Sequence, residues 1–268
     1  MSEAGVGRDY VDKQYGDDRN LAARQSIYSY QQPRLDLYNG SLDLARLRGD
    51  EAVLDIGCGN GRYLATLRSR GHRGLVCGVD MSEGMLRTAR EGFDDGPLLV
   101  SDAQSLPFGS DALDAVLSMH MLYHVPDRAR AIREIRRVVR PDGTALVLTN
   151  SEVHFRELDE LLLECAGEIV SVDRVRSRAS LTHFKAERAA IELEVAFSDV
   201  TAYPFAADLV IDAVEPVMAY ARSMGAFVVD DEHELDPVLD ELERRLAAMI
   251  EADGAFRVTT ACACFVCR

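Results

Sequence analysis

The short apolar run Ala52 to Ile56 breaks into Gly57-Cys58-Gly59-Asn60-Gly61 and then into a helical repeat at Tyr63, Leu64 and Leu67. A strand this short and this apolar is buried on both faces, as in a parallel sheet. The glycines turn it straight into a helix that Gly71 ends. The same unit then recurs. Leu75 to Val79 is a second strand closed by Asp80, and Ser82 caps a helix carrying Met85, Leu86 and Ala89. Leu98 to Val100 is a third strand, followed by a loop through Pro107, and Ala112 to Met119 is a fourth. Asp127 caps a helix over Arg128 to Val139, Pro141-Asp142-Gly143 makes a turn, and Thr144 to Thr149 is a fifth strand. Such alternation dictates an α/β fold with a parallel sheet and right-handed crossovers.

The pattern is different on either side. Residues 1–49 are polar and rich in tyrosine (Tyr10, Tyr15, Tyr28, Tyr30, Tyr38) and are expected to form helices over a site. Beyond Asn150, Glu152 to Glu168 is helical, Val200 to Phe205 is a sixth strand, and helices follow over Ile211 to Met224 and Leu235 to Ala252. Phe256 to Val266 is the last strand. The 268 residues, 47% apolar, are enough for one large core. The expected organisation is one domain: a helical lid (1–49), an α/β core (50–150), and helical insertions with closing strands (151–268).

The formal net charge is -15. Such a surface repels a phosphate backbone, and no basic groove offsets it, so a small-molecule partner is expected and not a nucleic acid. Arg133, Arg136, Arg137 and Arg140 recur at helical spacing and are expected to be a solvated face. Met1 to Gly16 has no apolar segment, and no apolar stretch approaches the roughly 20 residues that cross a bilayer. The expectation is a cytoplasmic protein without membrane association, a monomer or homodimer. Six cysteines do not make a disulfide framework in a chain this long. Cys262, Cys264 and Cys267 on a strand divide between its two faces, so no metal site is expected.

In an open parallel sheet, ligands bind beyond the carboxyl ends of the strands. The glycines at positions 57, 59 and 61 follow Asp55, and position 62, where a dinucleotide fingerprint would carry its third glycine, is Arg62. No lysine follows to make a phosphate loop. Asp80 ends the second strand, where a carboxylate can accept from two ribose hydroxyls. Asp102, with Ala103 and Gln104, follows the third strand, placed to accept from an adenine amine.

Val53-Leu54-Asp55-Ile56-Gly57-Cys58-Gly59, Gly78-Val79-Asp80-Met81-Ser82, Asp102-Ala103-Gln104-Ser105-Leu106-Pro107-Phe108 and Arg140-Pro141-Asp142-Gly143 resemble the type 11 class I methyltransferases, a group related to the ubiquinone/menaquinone C-methyltransferases. The resemblance is sharp over about residues 50–150. It implies a Rossmann-like, seven-stranded, mostly parallel sheet with helices on both faces and an antiparallel last strand, completed here by helical lid insertions. It implies S-adenosylmethionine as cofactor, with S-adenosylhomocysteine as product, and contacts at Asp55, Gly57, Asp80, Met81, Asp102, Ala103 and the end of the fourth strand. Cys58, Gly59, Met85, Gln104, Met119 and His120 complete the candidate cofactor set. Tyr15 and Arg24 are candidates to close over it, with plain helix packing as the alternative.

The family leaves the acceptor open. Methyl transfer to an O or N atom of a small organic molecule is expected, and the scarcity of lysine (Lys13 and Lys185 alone) implies a GC-rich genome in which natural-product intermediates are one acceptor class. The alternatives are C-methylation of a quinone-like or isoprenoid acceptor, an RNA or protein substrate, and cofactor binding without methyl transfer. If a proton must leave the acceptor, His124 is a candidate base, with Tyr123 beside it and His154 on a neighbouring segment. His124 as a structural brace, His154 as an ordinary pocket residue and His120 as a wall are the plainer readings. His120 and His124 face one way if their segment is helical. Met218, Met224 and Phe227 are candidates for an apolar acceptor wall or plain core.

Overall fold

The computed structural model describes residues 19–170, 183–224 and 232–268, with side chains from residue 21 onward in the first segment and from 235 in the last. Asp55 to Gly61 lies where the sheet changes direction. From β2 (Val53–Ile56) the chain passes through α3 (Arg62–Ser69), β3 (Val76–Asp80), α4 (Glu83–Gly92) and β4 (Leu98–Val100), moving toward one edge. It then returns to the other side of β2 with β5 (Leu113–Met119), α5 (Arg128–Val138) and β6 (Val139–Asn150). β2 pairs in parallel with both β3 and β5, so the crevice between departing and returning halves opens over its carboxyl end.

The caps act as the sequence indicates. Ser82 Oγ accepts from Met85 N at 3.1 Å, and Asp127 Oδ1 accepts from Arg130 N at 2.9 Å. The repeat Tyr63, Leu64, Leu67 is the buried face of α3. Leu54, Leu117 and Leu146 are fully buried, each contributing about 2 kcal/mol to the fold.

The later elements complete the same sheet. α6 (Arg156–Ile169) and α7 (Ala186–Leu193) precede β7 (Val200–Ile211), and α8 (Val214–Ser223) and α9 (Glu232–Asp253) precede β8 (Phe256–Cys267). β8 runs antiparallel between β6 and β7, giving the order β1-β7-β8-β6-β5-β2-β3-β4. Seven strands match the expected set, and the eighth is the two-residue edge strand β1 (Gln31–Gln32), paired with Leu209 and Asp208. Before β1 stand α1 (Arg19–Ser26) and a 3-10 turn, Ile27–Tyr30, and after it α2 (Leu37–Ala45). α6, α8 and α9 enclose their own apolar core around Phe155, Leu158, Met218 and Leu242.

Four local expectations change. Pro141-Asp142-Gly143 is not a free turn: it lies in a bulge within β6, where the register jumps from Leu113 opposite Val139 to Ala115 opposite Thr144. The His120–His124 segment is not an α-helix: His120 is left-handed (φ 56), and Leu122–His124 is a single 3-10 turn. The sixth strand extends to Ile211 because β8 pairs with it over its whole length. Arg137 is more than a solvated face residue: it grips Glu134 and the carbonyls of Phe108 (2.7 Å) and Leu106 (3.2 Å), fixing the loop that begins at Asp102.

Candidate functional site

The strand ends, the N-terminal elements and the start of α6 enclose one cavity of about 840 Å³. Asp55, Gly57, Cys58, Gly59, Asp80, Met81, Met85, Asp102, Ala103, Gln104, Met119, His120 and Arg24 all line it, as do Tyr123, His124 and His154. Tyr15 and Phe227 lie outside the described residues. Met224 lines the cavity, whereas Met218 belongs to the core under α6, α8 and α9.

At one end the backbone does the shaping. Gly57 has φ 67, and a Cβ there would stand 2.8 Å from Met121 Cβ, so only glycine lets Met121 pack against this loop. Its N–H donates to Val79 O at 2.7 Å, joining the loop to β3. Asp80 Oδ2 accepts from Gly59 N at 2.9 Å and Oδ1 from Ser82 N at 2.8 Å, so one carboxyl group ties the glycine loop to the start of α4. Each oxygen retains a lone pair directed elsewhere. Burial raises the Asp80 pKa and these N–H donors oppose it.

Asp55 lies beneath. It is 1% exposed, and neither carboxylate oxygen has a hydrogen-bond partner. Burial, and next the charge of Asp80, push its pKa well above the usual carboxylate range. The same surroundings, burial first, raise the Cys58 thiol and keep it neutral. At the rim, Asp102 takes the Gln104 backbone N–H (2.8 Å) and side-chain amide (2.9 Å). The Gln104 carbonyl in turn accepts from Asp127 N at 3.1 Å.

The other end is walled by side chains from distant segments: Tyr28, Gln31, Phe205, Tyr220 and Thr260. Phe155 and Tyr220 stack at 4.5 Å, with Tyr28 edge-on to Phe155 at 6.1 Å. His154 is 5% exposed. Its Nδ1 accepts from the Ala261 N–H at 3.1 Å, so the ring carries its proton on Nε2, which donates to Tyr28 Oη at 3.2 Å. A neutral ring held so spends its basic nitrogen on a backbone amide, which counts against proton abstraction by His154.

His120 and His124 depart from the near-ordinary pKa expected of a base. Burial holds His120 down at about 4, with Nδ1 buried and unpartnered. Burial, then Arg24, then His120 bring His124 down to about 3. Tyr123 packs edge-on against His124 at 4.5 Å. Arg24 donates to Ser223 O at 2.5 Å and so ties α1 to α8.

Sequence reasoning missed Asn150, Gln31 and Thr260. Asn150 ends β6 with a buried, unpartnered Oδ1 on the cavity, and the strand-end rule that found Asp80 would have found it. Gln31 and Thr260 bond each other at 3.2 Å across the chain, a pairing with no sequence signal.

A family model described as a methyltransferase domain matches residues 54–147, the stretch from β2 through most of β6. The ubiquinone/menaquinone biosynthesis C-methyltransferase UbiE of Methylococcus capsulatus is 36% identical over 121 residues, covering 42% of this chain and 49% of the relative. The chain thus spans about half the length of that relative. Among solved structures, BH2331 of Bacillus halodurans superposes with a TM-score of 0.60 at 19% identity, covering 87% of this chain and 99% of that one. The [4+2]-cyclase SpnF superposes at 0.58 and 17% identity, covering 99% and 97%. These two likenesses speak for the fold alone.

The cavity residues fit S-adenosylmethionine, the cofactor that the sequence motifs imply. The orphaned Asp55 carboxyl suits an amino group, Gly57, Cys58 and Gly59 bring the loop to the cavity wall, and the loop has no lysine for a phosphate the cofactor does not carry.

Proposed function

We propose that the chain transfers the methyl group of S-adenosylmethionine to an O or N atom of a small organic acceptor. The observation that carries this is the buried, unpartnered Asp55 beneath the glycine loop, in one cavity with an aromatic wall. Asp55 would hold the amino group of the cofactor, Asp80 its ribose hydroxyls, and Asp102 with Ala103 and Gln104 its adenine. When bound, the cofactor supplies a methyl group already activated by its sulfonium.

The chain's own tasks are then to align the acceptor and exclude water. Tyr28, Phe205 and Tyr220 give it an apolar bed. His124, neutral, accepts a hydrogen bond from an acceptor O–H or N–H and orients the lone pair behind it. An imidazole held this low takes up a proton poorly, so the favoured acceptor is an amine or a group already ionised, which needs no base. Among the described residues no helix is long and apolar enough to cross a membrane.

C-methylation of a quinone-type acceptor is the second reading, favoured by the UbiE likeness and by the aromatic wall. Incubation with methyl-labelled cofactor and a panel of amines, phenols and reduced quinones, read by mass spectrometry, separates the two. Label on nitrogen or oxygen supports the first, and label on ring carbon the second. Binding of S-adenosylmethionine without label transfer to any class would discard both.

A further inference from the structure

Asp55 is the most buried carboxyl on the cavity, and β2 delivers it there by register. It lies opposite Gly78 on β3 and Leu117 on β5, neither of which offers its side chain a donor. Asp80, at the end of β3, is the charged group acting on it, with the same sign. Cys58 in the glycine loop, Cys77 on β3 and Tyr63 on α3 are the other titratable groups within its influence, all neutral at ordinary pH. Among the described residues, no arginine, lysine or histidine compensates it. The loop N–H groups that would stabilise a carboxylate are engaged elsewhere: Gly57 and Cys58 donate to Val79 O, and Gly59 to Asp80. An ionised carboxylate in this position has neither a protein donor nor a cation beside it, and a buried charge so placed gives way to its neutral form.

We propose that Asp55 is a carboxylic acid in the empty protein and releases its proton to solvent when a cationic amino group enters the cavity, so that cofactor uptake is coupled to proton release. This rests on the cofactor reading above. In the step, the Asp55 O–H bond breaks, the proton passes to buffer, and the carboxylate pairs with the ligand's ammonium, which keeps its own protons. Affinity then rises with pH while the empty protein holds the proton, about tenfold per pH unit, and levels off once Asp55 ionises unaided.

Titration calorimetry of the full chain with S-adenosylhomocysteine, in buffers of different ionisation enthalpy and at successive pH values, tests it. Methylthioadenosine, which has the nucleoside and the sulfur but no amino acid, is the comparison ligand. The expected result is close to one proton released per S-adenosylhomocysteine below the apparent pKa and none with methylthioadenosine. The Asp55→Asn variant should bind S-adenosylhomocysteine more weakly, without proton release, and melt higher than wild type when empty at neutral pH. Binding with no buffer-dependent heat at any pH, or equal release with both ligands, overturns the proposal and leaves the cofactor reading intact. Failure of the wild type to bind S-adenosylhomocysteine removes both. Should the Asn variant not fold, the two-ligand comparison on wild type still decides.

Discussion

The two ends of the cavity are made from different material. The cofactor end is mostly backbone and strand ends: a glycine loop tied by Asp80 to α4, and a carboxyl from β2 below it. Its parts lie within a few residues of the carboxyl ends of neighbouring parallel strands, so strand register sets their spacing. The acceptor end is side chains from the 3-10 turn before β1, the start of α6, α8 and β8, held by aromatic stacking and by His154. The buried ionisable groups differ accordingly. Asp55 is pushed up by burial at the first end, whereas His124, in the 3-10 turn after β5, is pushed down by burial and by Arg24. A charge is held in reserve where a cationic ligand is expected, and Arg24 together with burial keeps His124 neutral.

The largest effect should come from forcing Met121 off the glycine loop. Gly57→Val puts a β-branched side chain at φ 67 and within 2.8 Å of Met121 Cβ. S-adenosylhomocysteine affinity should fall more than about a hundredfold, about 2.7 kcal/mol. Gly71→Ala is the control: also at positive φ (82), but with nothing within 4 Å of the added Cβ. It should lose about 1–2 kcal/mol of stability and no affinity. Equal loss of binding in both would mean that Gly57 matters through general strain and not through its packing against Met121.

Removing the tie comes next. Asp80→Ala deprives the Gly59 and Ser82 N–H groups of their acceptor. Affinity for S-adenosylhomocysteine, measured by calorimetry, should fall about 30-fold, about 2 kcal/mol. Retained affinity would show that the loop keeps its shape without the carboxylate.

The same contrast explains what could be read from the sequence. Asp55, the glycine loop, Asp80 and Asp102 were legible because a strand followed by a turn and a helix is a local pattern, and parallel pairing puts successive strand ends side by side. All of them line one cavity. The acceptor end was nearly illegible. Gln31 meets Thr260 only because a two-residue strand pairs with β7 while β8 flanks it on the other side. His154 was found by its nearness to the fifth strand, but its environment was not: the N–H that occupies Nδ1 comes from Ala261, across the β6–β8 connection. His120 and His124 share the cavity through a left-handed residue and a single 3-10 turn, not through the helical spacing that suggested it.

The acceptor end should fail in its own way. His154→Phe keeps a ring beside Phe155 but leaves the Ala261 N–H without its acceptor. Stability in urea should drop by about 1–3 kcal/mol while S-adenosylhomocysteine affinity changes less than about twofold. An affinity loss as large as that of Asp80→Ala would break the comparison, because the two ends would then be one cooperative unit.

The smallest effect sets the two ends against each other through pH. The His124 pKa lies at about 3 in the folded chain against 6.5 unfolded. As pH falls below about 6.5 the unfolded chain takes up the proton first, so this residue withdraws stability on the way down to its folded pKa. Asp55 works in the opposite sense. Its folded pKa lies above the unfolded one, so acidification relieves a cost that the empty protein carries at neutral pH. Thermal melting of the empty protein at descending pH should therefore flatten in His124→Gln and steepen in Asp55→Asn, each by a few degrees. A neutral His124 also predicts no rate inflection near the ordinary histidine pKa. An inflection there that vanishes in His124→Gln would restore this residue as a proton acceptor and show that Arg24 and burial do not keep it neutral during turnover.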